Sequence, residues 1–223
     1  MFLYPYVGKH LNNIIKINME TVKIGNQEWL TENLNVDHFN NGDEIEQIES
    51  AEDWLMHLKE KKPAWCYYEN DASNGKKYGK LYNWYAINDP RGIAPKGYHI
   101  PSDTEWTELT DYLDGVPANP NDVIGSGTIA GPKMKNDSGW NNSENGTNDS
   151  GFSALPAGKR SGFDGNFANI GETGYWWSST EDYKTKAYGR ILLPNTHYGI
   201  KEGRIYKETE FKESGFSVRC LRD

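Results

Sequence analysis

Large rings set among glycines constrain this chain more than any other feature. It carries 8 Trp, 14 Tyr and 7 Phe alongside 23 Gly, and the mixture runs through the closing stretch from Gly174 to Asp223. A core built this way leans on large amphipathic rings rather than on Leu, Ile and Val. Glycine with abundant Asn, Asp and Ser favours close turns and short strands over a helical bundle or a parallel α/β sheet. The predicted fold class is therefore α+β, with Gly174–Asp223 completing the domain and displaying a binding surface. At 223 residues one large domain buries a core without help from metals or crosslinks.

A formal net charge of -8 argues against a face for phosphate backbones, which needs clustered Lys and Arg; nucleic acid is not an expected partner. No run reaches the length of a transmembrane helix, so no membrane insertion is expected. The start Met1-Phe2-Leu3-Tyr4-Pro5 lacks the basic segment and apolar core of a signal peptide. Cys66 and Cys220 have no metal-ligand spacing. Both fall in strand-like contexts, which leaves two readings: a disulfide between neighbouring strands, or two buried free thiols acting as small apolar residues.

Along the chain, residues 1–20 stand apart, with Tyr4-Pro5-Tyr6 and Ile14-Ile15-x-Ile17. They read either as an arm that anchors on a partner or joins copies of the chain, or as a first strand. From Val22, two apolar runs around Gly25-Asn26 predict a hairpin, so the domain proper spans residues 21–223. Ser50 and Asp53 predict a short capped helix with Trp54, Leu55 and Leu58 on one face, ended by Lys59–Lys62 and Pro63. Asn70–Gly75 reads as a polar turn, and Lys80–Ile87 as a strand or a buried helix. Pro101, the pair Ser102 and Glu105, and Trp106, Leu109 and Leu113 at helical spacing predict a helix over Ser102–Leu113. Val116–Gly151, poor in apolar anchors, reads as a long surface excursion. Short strands are expected around Phe152, Phe167, Trp176, Ala187–Leu193, Gly199–Tyr206 and Phe216–Leu221. In a strand, consecutive Trp176 and Trp177 face opposite ways, so at least one is core and the other is a candidate for a loop-side surface.

Six ordered islands carry a resemblance: Ile24-Gly25-Asn26-Gln27-Glu28-Trp29-Leu30-Thr31-Glu32-Asn33-Leu34, Tyr78–Ala86, Pro95–Trp106, Gly151–Gly158, Tyr175–Thr180 and Gly215–Cys220. In this order they resemble the Fibrobacter succinogenes major paralogous domain family, found in bacterial surface and phage-associated modules. The resemblance implies a C-type-lectin-like fold whose two ends meet in one small sheet, flanked by two helices, with a second sheet supporting long loops. It implies that Tyr82–Ile87 is the first of those helices and Ser102–Leu113 the second. Ile100–Trp106 is also similar to a helix entry in the sulfatase-modifying enzymes that generate formylglycine. The chemistry of that group needs a close pair of cysteines near the C-terminus, and this chain offers Cys220 alone there.

No catalytic set stands out otherwise. His38, His57, His99 and His197 are scattered over different elements, His10 lies in the arm, and no nucleophile motif stands beside any of them. The expectation is a protein that is not an enzyme, without cofactor. Asn141–Asp149 is rich in oxygen ligands suited to calcium, but solvated turn residues give the same composition, and no metal ligand set is assigned. Candidate ligand-binding residues are Tyr183, Tyr188, Arg190, Asn195, His197, Tyr198, Arg204 and Tyr206, since Tyr and Arg give large contact area with hydrogen-bonding tips. Trp29, Trp84, Trp106, Trp176 and Phe216 are expected to be framework. The leading functional expectation is a phage virion protein, such as a head fibre, decoration or receptor-binding subunit, anchored through its arm and meeting a host glycan or protein through its C-terminal loops. The alternatives are an exported bacterial surface adhesin or polysaccharide-binding module, and an enzyme on the formylglycine-generating scaffold.

Overall fold

The computed structural model describes residues 19–117, 128–194, 196, 197, 200, 201 and 203–223. Most of the arm, residues 1–18, lies outside them. Among the described residues the first strand begins at Thr21, and Thr21–Ile24 pairs with Gln27–Leu30 across a turn in which Gly25 takes φ +61°, a region glycine enters without steric cost. Leu221–Arg222 then pairs with Gln27–Leu30 on one side and with Tyr98–His99 on the other, giving a four-stranded sheet that joins the beginning and the end of the domain. The second main sheet has Lys186–Leu192 at its centre, flanked by Gly174–Tyr183 and Ile205–Phe211, all antiparallel. Smaller sheets form around Ala64–Cys66 and Ala157–Arg160; the pairing of Glu46–Gln47 with Ala64–Cys66 is parallel. The architecture is α+β, with several small, mostly antiparallel sheets and few helices.

The capped helix runs from Asp103 to Asp114, with the Ser102 hydroxyl accepting from the Glu105 amide and the Glu105 carboxylate accepting from the Ser102 amide. The helix Ala51–Glu60 starts where Ser50 Oγ accepts from the Asp53 amide. Lys80–Ile87 resolves both ways: Leu81–Tyr82 is a strand, and Asn83 caps a single turn of helix over Trp84–Ile87. Two expectations fail. Asn70–Gly75 is not simply a turn, because Asp71 caps a helix over Ala72–Tyr78. Nor is Val116–Gly151 wholly a surface excursion, since its described part contains the helix Ala130–Met134 and buries Ala130, Met134 and Trp140.

Trp176 and Trp177 are both fully buried. Their strand separates two cores. Trp177 stacks on Phe216 at 4.4 Å on one side, while Trp176 joins Trp29, Trp106 and Phe152 on the other. A third cluster forms around Trp54, Tyr68 and Leu81. The rings also hold the loops. All eight indole N–H groups donate hydrogen bonds: those of Trp54, Trp65, Trp84, Trp106, Trp140 and Trp177 to backbone carbonyls, those of Trp29 and Trp176 to the side-chain amides of Gln27 and Asn33. Each ring so placed buries apolar area while its N–H finds an acceptor inside the fold.

Of the two cysteine readings, the structure has the free thiols. Cys66 belongs to the Trp54 cluster and Cys220 to the Trp177 cluster, both as free thiols. Burial pushes each thiol up to about 12, so both stay protonated at neutral pH. Among the described residues no helix is long and apolar enough to cross a membrane.

Candidate functional site

The three-stranded sheet sorts the predicted ligand residues by face. Directly opposed residues point the same way, and alternate residues along a strand share a face. Lys186 opposes both Tyr183 and Phe211, Tyr188 opposes Thr209, and Arg190 opposes Lys207. These residues therefore lie on one face. The deep half of that face, with Arg190 and Leu192, is covered by the helix Asp103–Asp114. The outer half, beyond the N-terminus of that helix, is open.

Arg190 is a correction to the predicted surface. It is 2% exposed, donating to Asp103 Oδ1 at 2.6 Å, to the Asp103 carbonyl at 2.9 Å and to Thr107 Oγ1 at 3.0 Å. Spacing along a strand reveals its two faces but not which half a helix will cover. Burial pulls the Arg190 pKa down from its usual value, opposed by the charge of Asp103. Burial also pushes the Asp103 carboxyl upward, but the charge of Arg190 and the bonds from Lys207 and Arg190 outweigh it and leave that pKa lowered. Asp103 is thereby a fixed post at the edge of the open surface.

From that post Lys207 Nζ reaches Asp103 Oδ2 at 2.6 Å and lies 4.2 Å from the centre of the Tyr188 ring. A hydrogen bond to Asp182 holds the Tyr188 phenol above its usual pKa, so it stays a neutral donor and acceptor. Lys186 Nζ lies 5.1 Å over Phe211. Phe211 also forms part of a groove of about 490 Å³ with Leu55, Phe163 and Thr185. Tyr183 and Phe163 stand out at 72% and 83% exposure, and Phe211 at 42%. Phe163 sits on a tight turn in which Ser161 Oγ accepts from the amides of Phe163 and Asp164. The result is a group of exposed rings on the outer part of one sheet face and the adjoining turn, with Lys186 and Lys207 set among them.

The remaining candidates do not join it. Tyr206 opposes Ile191 on the other face of the sheet. Arg204 is half-buried just before the strand Ile205–Phe211, its carbonyl accepting from the Leu193 amide. Asn195 and Tyr198 lie outside the described residues, and of His197 the backbone alone is described, in a short pair with Ile200. Sequence reasoning missed Phe163, Lys186, Lys207 and Phe211. Phe163 carried a usable signal: a large apolar ring inside Ser161-Gly162-Phe163-Asp164-Gly165 has no core to serve in such a turn.

The oxygen-rich Asn141–Asp149 segment is knitted into the fold. Asn145 Oδ1 accepts from the Trp140 amide, and Asn148 Oδ1 from the Ser153 amide. Among the described residues no three His, Cys, Asp or Glu side chains gather to hold a metal ion. His38, His57 and His99 each meet carboxylates on separate elements.

A comparison with protein families matches residues 22–222 to the Fibrobacter succinogenes major domain. No curated protein and no solved structure matches the chain.

Proposed function

The chain belongs to the Fibrobacter succinogenes major domain family, and from that premise we propose a non-enzymatic binding module with a C-type-lectin-like layout, taking its ligand on the aromatic surface of Tyr183, Tyr188, Phe211 and Phe163. The observation that carries this reading is the exposure of Tyr183, Phe211 and Phe163 beside a ring held by the Lys207–Asp103 pair. Isolated apolar residues on a surface are ordinary, but contiguous rings rimmed by polar groups mark interaction sites. The joining of the domain's two ends in one sheet supports the lectin-like layout. Two thiols held protonated by burial support a role without cysteine chemistry. The setting we propose is the surface of a phage virion, with residues 1–20 as the anchor and a host glycan or protein as the ligand.

Screening the purified chain against glycans and bacterial cells tests the reading. Tyr183→Ala with Phe211→Ala is expected to weaken binding by roughly tenfold or more, the scale of a truncated hot spot, without lowering thermal stability. Unchanged binding would place the site elsewhere. A chain lacking residues 1–20 is expected to keep ligand binding and lose association with virion particles; retained association would overturn the anchoring role.

A further inference from the structure

A second, polar cleft lies away from the aromatic surface, between the loop after Leu30 and the helix Ala72–Tyr78, and encloses about 340 Å³. Arg219 forms part of its wall although it is 1% exposed. A guanidinium has five N–H donors. Four of the Arg219 bonds go to uncharged oxygens: the carbonyls of Leu30 and Phe152, and Asn33 Oδ1 from both Nε and Nη2. The fifth N–H, on Nη2, has no partner among the described residues, and the nearby Glu32 carboxylate acts on the charge without a direct ion pair. Burial pulls the Arg219 pKa down to about 9, opposed in part by the charge of Glu32.

The rest of the wall is equally specific. Lys76 and Lys77 line it without an ion pair among the described residues, and so do Glu20 and Glu32. Asn35 donates from Nδ2 to the Gly75 carbonyl at 3.1 Å, while its Oδ1 accepts nothing among the described residues. Three cations against two carboxylates leave the cleft one positive charge in excess. A neutral sugar would leave that excess charge unmatched, and a compact dianion such as phosphate would meet Glu20 and Glu32. A ligand with one carboxylate and several hydroxyls satisfies both sides. A second cavity of about 510 Å³ adjoins, sharing Glu20, Glu32, Asn33 and Asn35 and walled by Leu30, Val36 and Ile93, which gives room for a neighbouring residue of a glycan chain.

We propose that this cleft binds a uronate sugar of an acidic glycan, its carboxylate toward Arg219, Lys76 and Lys77 and its hydroxyls toward Asn35, Glu20 and Glu32. The full chain is titrated calorimetrically with sodium glucuronate, trigalacturonate, glucose and inorganic phosphate. Glucuronate is expected to bind roughly tenfold or more tightly than glucose or phosphate, and trigalacturonate more tightly still. Lys76→Ala with Lys77→Ala, both exposed, is expected to weaken glucuronate by roughly tenfold while the fold stays intact. Glu32→Gln is expected to shift preference toward phosphate. Equal binding of glucose, tighter binding of phosphate, no binding of glucuronate, or binding indifferent to the lysine pair would each overturn the proposal. Tyr183→Ala with Phe211→Ala is expected to leave glucuronate binding unchanged, so this cleft and the aromatic surface stand or fall separately.

Discussion

Arg160 shows at the scale of one residue how this chain keeps charge inside. It is 1% exposed, and its guanidinium donates to the carbonyls of Gly165 at 3.0 Å, Ile48 at 2.5 Å and Glu49 at 2.8 Å while lying 4.5 Å over the Trp54 ring. Carbonyl dipoles and the ring face together offset desolvation that a lone buried cation would not survive. Lys80 over Trp65, Lys135 over Trp140, Lys212 over Trp84 and Arg219 over Phe152 repeat the device. Each cation ties down backbone that no strand or helix claims. Arg160→Met keeps the bulk but strands the three carbonyls, and is expected to cost about 3–5 kcal/mol in urea unfolding. A loss below about 1 kcal/mol would mean that water reaches those carbonyls and the guanidinium is dispensable.

Among the elements, the helix Asp103–Asp114 supports the aromatic surface directly, because its first residue, Asp103, anchors both Arg190 and Lys207. Removing its cap with Ser102→Ala is expected to cost about 1 kcal/mol, seen as a lower melting temperature. It is also expected to weaken any ligand that contacts Tyr188; a fall in stability with binding intact would separate the cap from the surface. This helix was legible in the sequence because its signals are local: a capping box, a 3.6-residue repeat and Gly115. The hairpin at Gly25-Asn26 was legible for the same reason. The helix Ala72–Tyr78 was not. Its Ser, Asn and Gly residues are poor helix formers, and its support is tertiary: Asn35 bonds to the Gly75 carbonyl, and a Cβ at Gly75 would fall 2.2 Å from the Tyr67 ring. Distant contacts likewise hid the burial of Arg190 and the place of both Trp176 and Trp177 in cores, since alternation along a strand cannot say that both of its faces are covered.

Across the whole molecule, His99 binds three elements together. Nδ1 meets Asp223 Oδ1 and Nε2 meets Glu105 Oε1, each at 2.9 Å, so one imidazole joins the strand Tyr98–His99, the segment ending at Asp223 and the capped helix. Burial opposes the imidazolium, yet the bonds to Asp223 and Glu105 prevail and leave its pKa raised. A pKa raised on folding contributes stability fully below the unfolded value of about 6.5 and loses it as pH climbs through the folded one. The melting temperature of the native chain is therefore expected to exceed that of His99→Gln in mild acid, with the gap closing toward alkaline pH. A gap independent of pH would assign His99 a packing role alone.

The sheet that His99 helps to close has a further meaning for how such a unit is strung into larger polypeptides. Val22 and Leu221 both oppose Trp29, on its two sides, so the segments leading into and out of the domain stand about 10 Å apart, two strand spacings. Neighbouring entry and exit make a unit easy to splice into a loop of a host protein or to permute. A short linker joining Asp223 to Thr21, with new ends opened at an exposed turn elsewhere, is the rearrangement this geometry invites.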